Sequence, residues 1–156
     1  MDIEIRKAAA GDAPFIVALW GECFSLPWSE ASIMNEIRSD DGAFFVAESA
    51  GERVGYALMK CALDEGQLCN IATSESVRGR GIGCALTLAL IDEARRRSLR
   101  VIMLEVRESN TAAIKMYEKC GFFKVGERKN YYRLPKENAL LYDFDLRKDK
   151  NEDTRI

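Results

Sequence analysis

Apolar and polar positions alternate over Ile3–Lys7, as in a half-buried first strand. From Phe15 the period lengthens: Phe15, Ile16, Leu19 and Trp20 form one helical stripe. Asp12 stands where that helix needs a cap, and Ala13-Pro14 puts proline in the first turn, where its missing N–H costs little. Pro27-Trp28 breaks the chain, and Ser29-Glu30-Ala31-Ser32 opens a second helix running to about Arg38. Asp40-Asp41-Gly42 reads as a turn. Two strand-like runs follow, Ala43–Ser49 and Arg53–Ala62, joined by the hairpin turn Ala50-Gly51-Glu52. Leu63-Asp64-Glu65-Gly66 then turns into the strand Leu68–Thr73. Further on come a helix over Ala85–Arg97, a β-branched strand at Val101–Val106, and a helix over Thr111–Lys119 stopped by Gly121. Phe122–Val125 and Ala139–Leu146 are two final strands, separated by a polar, tyrosine-bearing stretch. The order β-α-α-β-β-β-α-β-α-β-β predicts an α/β fold, one mixed sheet with flanking helices.

Between the fourth strand and the third helix the chain reads Arg78-Gly79-Arg80-Gly81-Ile82-Gly83. Glycines at a strand-to-helix turn let backbone N–H groups approach a ligand, and the helix N-terminus adds partial positive charge. The combination suits a phosphate or diphosphate. A Walker-type loop would end in Gly-Lys-Ser/Thr, whereas Gly83 precedes Cys84. The dinucleotide pattern G-x-G-x-x-G fails as well, at Cys84 or at Leu86. What remains is R-x-x-G-x-G on Arg78, Gly81 and Gly83. The blander reading is a glycine turn that only tightens the start of a helix.

Length and composition narrow the rest. The 156 residues suit one domain, and 47% hydrophobic with 31% charged residues is ordinary for a globular chain. A net charge of -2 gives no pull toward nucleic acid or an anionic surface. Met1-Asp2-Ile3-Glu4 carries no signal-peptide pattern, and no 18-residue apolar run appears, so a cytoplasmic protein without a membrane partner is expected. Five scattered cysteines (Cys23, Cys61, Cys69, Cys84, Cys120) show no C-x-x-C pair and read as small core residues in a reducing compartment. Asp92 and Glu93 precede Arg96 and Arg97 by four residues, and Arg95–Arg97 reads as a solvated helix end. Histidine is absent, which excludes Ser-His and Cys-His nucleophile pairs and disfavours a metal site. A general base must then be a carboxylate, a water chain, or a perturbed lysine, tyrosine or cysteine.

A second block, Leu104-Glu105-Val106-Arg107-Glu108-Ser109-Asn110-Thr111-Ala112-Ala113-Ile114 followed by Met116-Tyr117-Glu118-Lys119-Cys120-Gly121-Phe122, stands beside the glycine motif. With Pro27-Trp28-Ser29, Asn70-Ile71-Ala72 and Asn130-Tyr131-Tyr132 it resembles the GNAT superfamily of N-acetyltransferases. Within that superfamily it is similar to the bacterial ribosomal-protein-alanine acetyltransferases of the RimI type. The resemblance spans roughly Ile3 to Leu146. It implies a mostly antiparallel central sheet, one N-acetyltransferase domain over residues 1–147 and acetyl-coenzyme A as co-substrate, while the charge of residues 148–156 reads as a frayed tail. The diphosphate would lie over the N–H groups of Gly79, Arg80, Gly81, Ile82, Gly83 and Cys84, with Arg78 and Arg80 adding charge or pointing to water. Ile71, Ala72 and Thr73 would pair with the pantetheine arm as one strand adds to a sheet edge, and the N–H near Ile71 would polarise the thioester carbonyl. Asn110 would contact the cofactor or serve only as N-cap.

The resemblance also implies Glu105 as general base, through water, and Tyr117 as general acid toward the leaving thiolate. Glu105 lies near the C-terminal end of a strand between Leu104 and Val106, an apolar setting that favours a base. The competing readings are a Glu105–Arg107 ion pair and a Tyr117–Phe122 packing anchor. Pro27, Trp28 and Tyr131 would line an acceptor groove or belong to the core. The implied reaction is Nα-acetylation of a protein N-terminus, in the resembled subfamily that of a small-subunit ribosomal protein beginning with alanine. Acetylation of a small amine, and a non-catalytic coenzyme A module, are the alternatives. The oligomeric state is open.

Overall fold

The computed structural model describes residues 2–24 and 26–147, so the tail expected over 148–156 lies outside the described residues. Seven strands form one sheet: β1 (Ile3–Lys7), β2 (Gly42–Ser49), β3 (Glu52–Ala62), β4 (Glu65–Thr73), β5 (Val101–Arg107), β6 (Phe123–Arg133) and β7 (Lys136–Asp145). Their spatial order is β1-β2-β3-β4-β5-β7-β6, and every neighbouring pair is antiparallel except β4 and β5. Four helices complete the fold: α1 (Ala13–Cys23), α2 (Glu30–Arg38), α3 (Ile82–Arg96) and α4 (Thr111–Lys119). The mixed, mostly antiparallel sheet with flanking helices matches the expected order.

Strand alternation sends side chains to two cores. Leu86, Leu90 and Ile91 of α3 and Tyr117 of α4 pack with Ile102, Leu104 and Val106 on one face of the sheet. Ile16, Leu19 and Ile33 of α1 and α2 pack with Phe44, Val46, Tyr56 and Leu58 on the other. Each fully buried Leu or Ile contributes about 1.5–3 kcal/mol of apolar burial. Gly55 lets α3 settle this close: a Cβ there would lie 2.8 Å from the Ala72 carbonyl oxygen and 3.3 Å from Ile82 and Leu86 side-chain atoms. The start of α3, which carries the glycine motif, is thereby pressed onto β3 and β4.

Several expectations change. β6 runs through the stretch read as a connection and turns tightly at Leu134-Pro135 into β7, which starts at Lys136. Four polar residues in a row, Glu127–Asn130, hid this strand, because β6 is an edge strand exposed on almost its whole length. β4 likewise begins at Glu65 rather than Leu68, after a two-residue turn with Leu63 at φ 55°. Asp12 precedes α1 but makes no capping bond. Its carboxylate instead accepts from Arg6 Nη1 and Nη2 at 2.7 and 2.8 Å, Arg53 Nε at 2.6 Å and the Ala9 N–H at 2.7 Å. The helix-cap signal lost to two arginines, one on β1 and one on β3.

Asp12 is 1% exposed, and the Arg6 hydrogen bond leads the set of interactions that hold its carboxyl far below the ordinary carboxylate range. Asp12→Asn is expected to destabilise the fold by about 2 kcal/mol, discounted because both arginines reach solvent. A lowered native pKa means that the stabilisation is complete above the unfolded value near 4 and declines as acid is added below it. Thermal melts of both proteins should therefore differ at pH 7 and converge progressively below about pH 4. Arg97 also departs from a solvated helix end: it donates to Glu93 Oε2 at 2.8 Å and to the Gly42 carbonyl at 2.7 Å, tying α3 to the start of β2.

Candidate active site

β4 and β5 pair only over Glu65–Gln67 and Val101–Met103. Beyond that they diverge, because Cys69 is an extra residue in β4: Leu68 faces Met59 and Asn70 faces Leu58, with Cys69 bulged between. A bulge bends and twists its strand. β5 continues alongside β7, so Ile71–Thr73 keep a strand edge without a ladder partner among the described residues. Parallel strands that separate in mid-sheet leave a slot for an extended ligand, the geometry of strand addition.

At the end of that slot lies the glycine motif. Gly79 and Gly81 adopt φ 80° and 84°, and Gly81 is the N-cap of α3. The first helical bond here runs from the Ala85 N–H to the Gly81 carbonyl. The N–H groups of residues 79–84 have no acceptor among the described residues. Six unclaimed N–H groups on a helix N-terminus fit a diphosphate, and the neighbouring free edge fits a chain of amides. Arg78 stands apart: its N–H bonds the Glu75 carbonyl, and its guanidinium reaches the Thr73 carbonyl at 3.3 Å and Cys23 Sγ at 3.5 Å. Ile82 contributes its N–H alone, since its side chain is core. The Asn110 side chain caps α4 by accepting from the Ala113 N–H at 3.2 Å, which leaves its amide nitrogen uncommitted among the described residues.

Gly81→Ala meets no neighbouring atom, so its cost is the left-handed backbone, about 1–2 kcal/mol for a residue with a Cβ. Relaxation of that residue opens the cradle. The KM for acetyl donor should rise about fivefold to thirtyfold with kcat nearly unchanged.

Glu105 projects from β5 onto the face opposite Leu104 and Val106, both core residues of the α3 side. The apolar setting expected from its sequence neighbours is thus not what surrounds it. It faces two tyrosines of β6. Hydrogen bonding to Glu105, then its charge, pushes the Tyr131 phenol up, while burial followed by the Glu105 charge raises Tyr132. Arg107 does not pair with Glu105. It donates to Glu137 at 3.1 Å and to the Pro135 carbonyl at 3.0 Å, and its guanidinium lies 4.2 Å from the Tyr132 ring centre. These contacts pin the β6–β7 turn beside β5. Near that turn β6 bulges opposite Asn138, with Asn130 at φ 54° and its N–H held by Asn138 Oδ1 at 2.8 Å.

Tyr117 is 5% exposed and packs on Phe122 at 5.6 Å between ring centres, as the anchor reading required. Yet its hydroxyl has no partner among the described residues and is not sealed from solvent. Burial first, then the charges of Cys120 and Tyr132, pushes the phenol above its ordinary value, so it stays protonated. Trp28 is half-buried in an aromatic column, 4.6 Å from Trp20 and 6.3 Å from Phe44, while Pro27 and Tyr131 are exposed. The structure therefore gathers Glu105 with Tyr131 and Tyr132, sets Tyr117 in the core of the other face within electrostatic reach of Tyr132, and assigns Trp28 largely to packing. Arg107, Glu137 and Asn138 were missed because their roles depend on the β6–β7 turn, which no local signal announced.

A slot between parting strands with an N–H cradle at its end suits a ligand that carries a diphosphate and a chain of amides. The profile of the Acetyltransferase (GNAT) family matches residues 13–122, more than half the chain, and the chain belongs to that family. It is an acetyltransferase using acetyl-coenzyme A. The ribosomal protein bS18-alanine N-acetyltransferase of Escherichia coli is 35% identical over 139 residues, covering 88% of this chain and 93% of its own. The enzyme of that name from Haemophilus ducreyi is 34% identical over 122 residues, 74% and 81% of the two chains. The crystal structure of the ribosomal-protein-S18-alanine N-acetyltransferase from Escherichia coli superposes with a TM-score of 0.83 at 31% identity, over 93% of this chain and 94% of that one.

Proposed function

We propose that this chain acetylates the α-amine of a protein N-terminus, with an amino-terminal alanine of a small-subunit ribosomal protein as acceptor. Support comes from the relatives named for that reaction and from the placement of Glu105 beside the slot. A ribosomal acceptor puts the reaction in the cytoplasm.

Bound acetyl-coenzyme A supplies the acetyl thioester. The N–H groups of residues 79–84 hold its diphosphate, the edge of Ile71–Thr73 aligns its amide arm, and the Ile71 N–H polarises the thioester carbonyl. A free α-amine has a pKa near 8, so about a tenth is neutral at pH 7. Glu105 accepts the proton that the amine gives up, through a water molecule, as the nitrogen bonds to the carbonyl carbon. Tyr117 donates its proton to the departing sulfur and recovers one from solvent. Tyr131, exposed beside Glu105, borders the acceptor side.

Mass spectrometry of a peptide with amino-terminal alanine and one internal lysine tests the reading. One acetyl group on the α-nitrogen, with lysine untouched, is the expected product. No acetylated peptide of any sequence, alongside turnover of a polyamine or amino sugar, would replace it with small-amine acetylation.

A further inference from the structure

Opposite Glu105, across the parting of β4 and β5, stands a polar pair outside the machinery described above. Tyr56 of β3 is fully buried, and its hydroxyl donates to Asn70 Oδ1 at 2.5 Å. Asn70 is half-buried on β4, immediately after the bulge. Gln67 is paired with Met103; allowing one residue for the bulged Cys69, Asn70 falls level with Glu105. Both side chains lie on the α1–α2 face, because Asn70 faces Leu58 of that core while Leu104 and Val106 belong to the other. With Oδ1 engaged by Tyr56, the amide is oriented and Nδ2 has no acceptor among the described residues. An amide N–H can hold an oxygen lone pair but cannot take the amine's proton.

We infer that Asn70 Nδ2 holds the water through which Glu105 takes the amine's proton, and that Tyr56 is the positioning residue that fixes the Asn70 amide. This rests on the general-base reading of Glu105 given above. The water accepts from Asn70 through one lone pair, receives the amine proton on the other, and passes a proton to Glu105, so that no net charge is left on it. Tyr131 and Tyr132 of β6 lie within electrostatic reach of Glu105, while Arg107 on its own strand is turned to Glu137. The paired neighbour on β7, Leu141, is neutral. The aromatic column Trp20, Trp28, Phe44 and Tyr56, with successive ring centres 4.6, 6.3 and 6.0 Å apart, backs the tyrosine against the α1–α2 side. The arrangement buries a hydroxyl in an apolar core, which is costly unless its one bond is satisfied.

Two measurements test this, and the first does not depend on the acceptor. In carboxyl NMR titrations of ¹³C-labelled full-length protein, with Glu105→Gln identifying the Glu105 signal, Asn70→Asp should move the Glu105 midpoint upward by about one pH unit, as a like charge at close range does. An unmoved midpoint in a folded variant overturns the placement of Asn70. In steady-state assays with whichever amine the wild type acetylates, Tyr56→Phe should lower kcat about tenfold with the KM for acetyl-coenzyme A unchanged, and Asn70→Ala should do the same without adding to Tyr56→Phe in the double variant. Wild-type kcat in Tyr56→Phe, or fully multiplicative effects, overturns the pairing. Should Asn70→Asp not fold, Asn70→Ser gives the same kinetic comparison. Glu105→Gln separates the two readings: loss of activity there with silent Asn70 variants removes this inference alone, and full activity there removes both.

Discussion

Glu105→Gln is expected to lower kcat by about 10²–10⁴-fold at pH 7, the usual worth of a positioned base. Glutamine keeps the size of the side chain and can still meet the Tyr131 hydroxyl, so the acceptor side stays assembled. The cradle over residues 79–84 sits on α3 rather than β5, so the KM for acetyl-coenzyme A should stay within about twofold. What the amide cannot do is take a proton. The deficit should accordingly narrow as pH rises past about 8, where a free α-amine is already neutral. Rates from pH 6 to 10 on an alanine-starting peptide check this. A variant with wild-type kcat throughout would return Glu105 to the status of a strand carboxylate.

Tyr117→Phe should cost about 10²-fold in kcat and leave the fold intact. The ring remains to pack on Phe122, 5.6 Å away, and the hydroxyl that is removed has no partner among the described residues. The melting midpoint should thus shift by no more than about 2 °C. A packing anchor predicts the opposite pattern, since phenylalanine preserves the anchor and the rate would be kept. Burial raises the native phenol above its unfolded value near 10, so in the wild type no alkaline loss from this group should appear below about pH 10.

Much of the site lay in plain view along the chain. Gly79, Gly81 and Gly83 announce an N–H cradle because a left-handed turn before a helix is a local property of the backbone. Period-2 and period-3.6 patterns placed β1, β2, β3, β5 and all four helices for the same reason. Signals that compete with a distant partner were misread. Asp12 looks like a helix cap until Arg6 and Arg53 arrive from two strands. β6 looks like a loop because an edge strand has little to bury. Leu104 and Val106 seem to surround Glu105 until the pleat sends them to the other face.

By itself, then, the sequence determined the glycine turn and the family and singled out Glu105 and Tyr117 as the candidate carboxylate and phenol, all of which are written within windows of a few residues. Only the tertiary structure decided what those groups meet. One bulged residue, Cys69, parts β4 from β5 and brings Asn70 level with Glu105, and a turn at Leu134-Pro135 lays Tyr131 and Tyr132 against it. Register between strands is set by pairing across tens of residues, and a shift of one residue reverses which face every side chain takes.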